Sequence, residues 1–141
     1  VVYGLRPPAL DEFGLVRALQ LHASQLEATA ASLTITLCLP EQALGQLPAA
    51  VEVAAYRIAC EALTNVVRHA GATACSVRVH LDGALELEVA DNGRGLSPDQ
   101  PAGVGTLAMR ERAEELGGRL EISSGQHGTV VHARLPVPEV R

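Results

Sequence analysis

Residues 49–70 constrain this chain most: a helix-length run, apolar almost all the way round, opened after Pro48 and stopped at Gly71. On a helical wheel of about 100° per residue, Arg57, Thr64, Asn65 and Arg68 fall within about 60° of Glu61. Ala59, Ala62, Leu63, Val66 and Val67 point elsewhere, so one polar stripe crosses an otherwise apolar helix. A stripe of this kind can be no more than a solvated side. The side-chain types suggest more, because Glu61 and Asn65 stand one turn apart and can present oxygens to one point, with Arg68 a further turn along. Mg²⁺ prefers oxygen ligands, takes one or two from protein and leaves the rest to water and phosphate. An arginine nearby can take phosphate charge, and a carboxylate can orient a nucleophile or a metal-bound water. His69 sits at the stripe's edge, where a phosphate contact and a structural role are both open.

The flanking segments supply what such a helix packs against. Asp11 is placed to cap a helix running to about Ala31, along which Leu15, Leu19, His22 and Leu26 recur at helical spacing. Residues 33–39 alternate strictly, as a half-buried strand does. After Gly71, strands over about 74–81 and 84–90 are joined by Asp82-Gly83, a strong hairpin signal. A helix over about 106–116 ends at Gly117-Gly118, and strands over about 119–123 and 129–135 follow. Hairpins with intervening helices predict an α+β fold, a two-layer sandwich whose mixed, mostly antiparallel sheet is covered on one face by helices. At 141 residues the chain is expected to be one domain over 1–141.

Between Asp91 and Gly105 the regular pattern gives way to glycine, proline and polar residues. Asp91, at a strand's end, can accept a hydrogen bond from an exocyclic amine such as that of adenine, and Gly93 and Gly95 let the backbone pass close to a base. A turn that uses Asp and Gly for their backbone conformations is the plainer account of the same residues. Gly103-Val104-Gly105 then opens into the helix at Thr106 and Leu107, so unpaired N–H groups and the positive helix end form a ready anion site. Gly95 and Gly103 as flexible ends, with Pro98 and Pro101 as stiff points, suit a lid, although an ordinary surface loop has the same composition. Gly103-x-Gly105-x-x-Ala108 also matches a dinucleotide-binding fingerprint. That motif needs a strand running straight into the first glycine and a parallel crossover, and the sequence offers neither.

A formal charge of −5 excludes a general nucleic-acid binder, which needs clustered cations. The sequence has neither an apolar run long enough for a membrane helix nor a basic-then-apolar leader, so a cytoplasmic location is expected. Cys38, Cys60 and Cys75 form no C-x-x-C pair and are expected to be small buried core thiols.

Four motifs in order now carry a resemblance. Residues 59–70, Ala-Cys-Glu-Ala-Leu-Thr-Asn-Val-Val-Arg-His-Ala, resemble the N box of the ATPase superfamily that joins histidine kinases, gyrase, heat-shock chaperones and mismatch-repair ATPases. Residues 89–96, Val-Ala-Asp-Asn-Gly-Arg-Gly-Leu, resemble its first glycine box, and Gly103 to Arg112 its second. Gly128-Thr129, with a strand ending Leu135-Pro136, resembles the last motif. The opening Gly4-Leu5-Arg6-Pro7-Pro8 and the Met109-Arg110-Glu111-Arg112 helix resemble the nitrate-sensor and DesK-like histidine kinases. A separate phenylalanine-containing motif of many kinases is missing, the sole Phe being Phe13, and Thr106 stands where the subfamily often has Leu.

The resemblance implies the Bergerat ATP-binding fold, with ATP and Mg²⁺ as ligands. It implies that Asn65 binds Mg²⁺, that Asp91 and Thr129 hold adenine, and that Gly93, Gly95, Gly103 and Gly105 shape the lid and phosphate site. Leu96, Val104, Thr106, Leu107 and His69 would line the nucleotide, and Glu61, Asn65 and Arg68 would serve the chemistry. For Arg110 and Arg112, solvation of their helix is as good an account as phosphate contact. The acceptor histidine of such kinases is followed by an acidic residue, whereas His22, His69, His80, His127 and His132 precede Ala, Ala, Leu, Gly and Ala. The expected partners are therefore an upstream dimerisation and histidine-phosphotransfer domain and, indirectly, a response regulator, with membrane anchoring of the parent left open. An anti-sigma-factor serine kinase and a non-catalytic nucleotide-binding module of the same superfamily are the alternatives.

Overall fold

The structure is a computed structural model that describes residues 7–30, 32–40, 47–94 and 104–137, with the backbone alone at residues 69, 70, 104 and 105. Helix α1 spans Pro8–Thr29, strand β1 Thr34–Cys38, helix α2 Ala49–Asn65, β2 Ala74–Leu81, β3 Ala84–Asp91, α3 Val104–Glu115, β4 Arg119–Gly125 and β5 Gly128–Pro136. The strands form one sheet in the order β1-β2-β3-β5-β4, parallel between β1 and β2 and antiparallel elsewhere. The expected α+β sandwich is what the chain adopts.

Strand alternation sorts the side chains onto two faces. Val77, Val79, Leu85, Leu87, Val89, Leu120, Val131, Ala133 and Leu135 are buried under the helices. Glu86, Glu88, His132 and Arg134 take the other face, where the Glu86 carboxylate meets the Arg134 guanidinium and lies 2.9 Å from His132 Nε2. That second contact is a hydrogen bond when His132 carries a proton on Nε2.

Helix α2 is the centre of the helical layer, lying over β3 and β5 with α1 on one side and α3 on the other. Val51, Ala54, Ala55, Ile58, Ala59, Ala62 and Leu63 are buried, and the small alanines let α2 approach its neighbours closely. On α3, Met109 and Ala113, one turn apart, do the same against the core. On the edge strand, the Ile35 amide donates to Glu27 Oε2 at 2.9 Å, so α1 satisfies a backbone donor that no strand pairs.

The structure departs from the sequence reading in four places. Helix α1 begins at Pro8, so Asp11 lies in its first turn with no side-chain cap, and Gly14 (φ 78, ψ 173) interrupts the helix in a conformation that glycine tolerates. Helix α2 does not run on to Ala70: Val66–Ala70 form a π-turn ending at left-handed Gly71 (φ 59). Helix α3 starts at Val104 rather than Thr106, so Gly105 is already helical. Cys38 is exposed, because strict alternation on an edge strand turns it outward with Thr34 and Thr36, while Cys60 is half-buried and Cys75 buried.

Two stability outcomes follow from this packing. Leu63 is 1% exposed, so Leu63→Ala should lower unfolding free energy by roughly 2–5 kcal/mol in chemical denaturation. His22 meets Tyr56 edge-on at 6.3 Å, its Nε2 is buried with no hydrogen-bond partner among the described residues, and burial lowers its pKa below 6.5. The unfolded chain therefore takes up this proton first as pH falls, and stability contributed by neutral His22 is lost below pH 6.5. Denaturation between pH ~7.5 and ~5.5 should show a steeper loss in the wild type than in His22→Gln. Parallel curves would refute this.

Candidate functional site

One end of the sheet collects the chemistry. The register pairs Cys75 of β2 with Asp91 of β3, and Thr129 of β5 with Ser124 of β4. The pairing of Ala90 with Val130 carries Asp91 to the start of β5, and a Cβ on Gly128 would overlap the Asp91 carbonyl, so the two strands touch there. By alternation Cys75, Asp91, Thr129 and Ser124 share the helix-covered face with Val77, Val89, Val131 and Ile122. They form one polar row across four strands.

Within this row each hydroxyl, thiol and carboxylate is held. Asp91 Oδ1 accepts the Gly93 amide at 2.8 Å, which fixes the carboxylate, and Oδ2 has no partner among the described residues. The Thr129 and Ser124 hydroxyls lie 2.9 Å apart. Burial, and next the Asp91 charge, push the Cys75 thiol up to about 12. It is therefore a neutral, inert part of the floor. Asn92 ties the row to the neighbouring turn: its Oδ1 accepts the Thr73 and Ala74 amides, and its Nδ2 donates to Thr73 Oγ1, each at 3.0 Å. Gly71, Asn92, Gly93, Arg94 and Gln126 line an open concavity of about 440 Å³ beside it.

The helices bring two further features to this end. Helix α2 leads through its π-turn into β2, so Asn65 stands at the end of the sheet where Cys75 and Asp91 lie. Its side chain is half-buried and makes no capping hydrogen bond. Helix α3 ends at the opposite edge, where Gly118 packs against the Arg134 carbonyl. Its 12 residues span about 18 Å, which returns its N-terminus at Val104 to the Asp91 end.

The predicted residues distribute unevenly. Asp91 and Thr129 are together, and Gly93 is buried beside them. Asn65 joins that end, with Val104 and Gly105 as the opening residues of α3 and Thr106 half-buried behind them. Leu107 is 56% exposed, and the π-turn leaves Arg68 exposed, so the wheel that aligned Arg68 with Glu61 holds only as far as Asn65. The side chain of His69 and residues Gly95, Leu96 and Gly103 lie outside the described residues. Glu61 sits elsewhere, in a groove of about 450 Å³ between α2 and α3 whose walls include Arg57, Cys60, Thr64, Met109 and Arg112. The Thr64 hydroxyl donates its proton to the Cys60 carbonyl at 2.9 Å, which leaves it an acceptor only towards the groove.

Sequence reasoning missed Cys75, Ser124 and Asn92: Asn92 had a signal in its place inside the Asp91-Gly93 motif, whereas Cys75 and Ser124 come beside Asp91 and Thr129 only through strand register. Among the described residues no cluster of three or more His, Cys, Asp or Glu could hold a metal. A metal at this end would rest on the amide of Asn65 and on the ligand's own oxygens, which fits Mg²⁺ and not zinc. No helix among the described residues is long and apolar enough to cross a membrane.

Residues 50–139 match the family described as histidine kinase-, DNA gyrase B-, and HSP90-like ATPase. The chain is 36% identical over 136 residues to the signal transduction histidine-protein kinase/phosphatase UhpB of Salmonella typhimurium, covering 94% of this chain and 26% of that protein. It is 34% identical over 141 residues to the sensor histidine kinase MctS of Rhizobium johnstonii, covering 95% and 30%. The chain thus spans about a quarter to a third of the curated relatives it matches. The fold superposes on the histidine kinase domain of the Erythrobacter litoralis EL346 blue-light activated kinase with a TM-score of 0.75 at 22% identity, covering 87% of this chain and 61% of that one. The chain belongs to the histidine kinase-, DNA gyrase B- and HSP90-like ATPases, and its relatives in that family are sensor histidine kinases.

Proposed function

We propose that this domain binds ATP with Mg²⁺ and donates the γ-phosphoryl group to a histidine on a separate dimerisation domain of a longer sensor kinase. The observation that carries the reading is the meeting, at one sheet end, of a fixed carboxylate, a hydroxyl pair, an amide and a helix N-terminus, the carboxylate's Oδ2 and the Asn65 amide having no partner among the described residues. They would serve as a base acceptor, a second base contact, a metal ligand and an anion site, the contacts a nucleoside triphosphate needs.

In this account Asp91 Oδ2 accepts the adenine amine and Thr129 joins it at the base. Gly93 allows close approach of the base, and Gly95, Leu96 and Gly103 belong to the lid. The amides opening α3 at Val104, Gly105 and Thr106 take phosphate oxygens, with Leu107, Arg68 and His69 at the margin. Asn65 holds Mg²⁺, which when bound neutralises the phosphate charge. The imidazole nitrogen's lone pair forms the N–P bond as the bond from phosphorus to the bridging oxygen breaks. The electron pair of that bond stays on ADP, and the ring's remaining N–H proton is released to a base. Glu61, which lines the groove between α2 and α3, would hold that N–H.

Calorimetric titration of ATP, with and without Mg²⁺, tests the assignment. Asp91→Asn should weaken binding about 10- to 100-fold under both conditions, because a charge-assisted hydrogen bond is lost. Asn65→Ala should lose only the increment that Mg²⁺ adds. Wild-type affinity in Asp91→Asn would remove the base site from this end of the sheet.

A further inference from the structure

The groove between α2 and α3 starts where the nucleotide end stops. Thr64, beside Asn65, and Ala108, one turn into α3, line its near end, while Arg57 and Arg112, with Tyr56 and with Pro7 and Pro8 at the start of α1, line the remainder. The two helices run antiparallel, so the first half of α2 faces the second half of α3. Along this groove Arg112 is unusual. It is the one half-buried charged residue of α3 among the described residues, Arg110, Glu111, Glu114 and Glu115 all being exposed. Its guanidinium, with five donors, makes no hydrogen bond or ion pair among them. Glu61 on the facing wall is equally unpartnered, yet the two do not pair with each other across the groove.

A half-buried guanidinium that lines an open groove with no protein partner among the described residues is available to an incoming anion. Arg112 lies about 12 Å along α3 from Val104, and helical side chains lean toward the helix N-terminus, so its donors reach back toward the triphosphate without reaching the base. We infer that Arg112 contacts the γ-phosphoryl oxygens during transfer, taking the charge that develops as the acceptor enters along the α2–α3 groove. It adds little to ground-state nucleotide binding. Arg110, exposed on the same helix, has no such role. This inference rests on the phosphotransfer reading above and assigns it a residue.

The test is autophosphorylation of the full-length kinase that carries this domain, with rate and KM for ATP measured separately. Arg112→Ala should lower the rate at saturating ATP–Mg²⁺ by about 10²-fold and leave KM for ATP unchanged. Arg112→Lys should restore part of the rate, and Arg110→Ala should match the wild type. An unchanged KM also reports that the variant is folded. The inference is overturned if Arg112→Ala transfers at the wild-type rate while Asn65→Ala does not transfer. It is overturned equally if Arg112→Ala raises KM as much as it lowers the rate, which would make Arg112 a ground-state contact. A wild-type protein that binds ATP but forms no phosphohistidine overturns the phosphotransfer reading first, and the role of Arg112 with it.

Discussion

The burial of α2 against the sheet is the constraint on which the remainder depends. A helix with Ile58, Ala59, Ala62 and Leu63 at or below 2% exposure has only one orientation that keeps them dry. That orientation fixes where the polar residues between them must go. Arg57, Glu61 and Thr64 fall along the seam with α3, and Asn65 falls at the end, where the helix loosens into a π-turn. The position of the polar groups is thus a consequence of hydrophobic packing, and a variant that disturbs the core disturbs the site.

The second constraint is strand register. Cys75, Asp91, Thr129 and Ser124 lie on four different strands, and only the antiparallel pairing brings them into one row. A slip of one residue in β3 would turn Asp91 to the outer face, alongside Glu86 and Glu88. Gly128 guards against that slip from the other side, since its positive φ (124) and missing Cβ let β5 begin in contact with the Asp91 carbonyl. The site is rigid on its sheet side because the sheet itself sets it.

Most of the architecture was legible in the sequence, because each element carried its own period and its own stop. The alternation of residues 33–39, the Asp82-Gly83 turn and the Gly117-Gly118 stop are local signals, and local signals survive into the fold. What was not legible depended on partners far along the chain. A fixed wheel angle hid the π-turn and so placed Arg68 too close to Glu61. The exposure of Cys38 followed from β1 being an edge strand, which residues 33–39 alone do not reveal. Cys75 and Ser124 looked like ordinary strand residues until register set them beside Asp91 and Thr129. Arg112 gained meaning only when the antiparallel packing of α2 and α3 put it opposite Glu61.

The central claim is spatial: one nucleotide touches the row on β2, β3 and β5, the end of α2 and the start of α3. Backbone amide shifts of the isotope-labelled chain, followed on addition of ATP and Mg²⁺, test it directly. The account predicts the largest changes at Asn65, Cys75, Asp91, Gly93, Gly105 and Thr129, with Glu86, Glu88 and Arg134 on the outer face unmoved. Changes confined to the outer face, or to α1 away from this end, would contradict it.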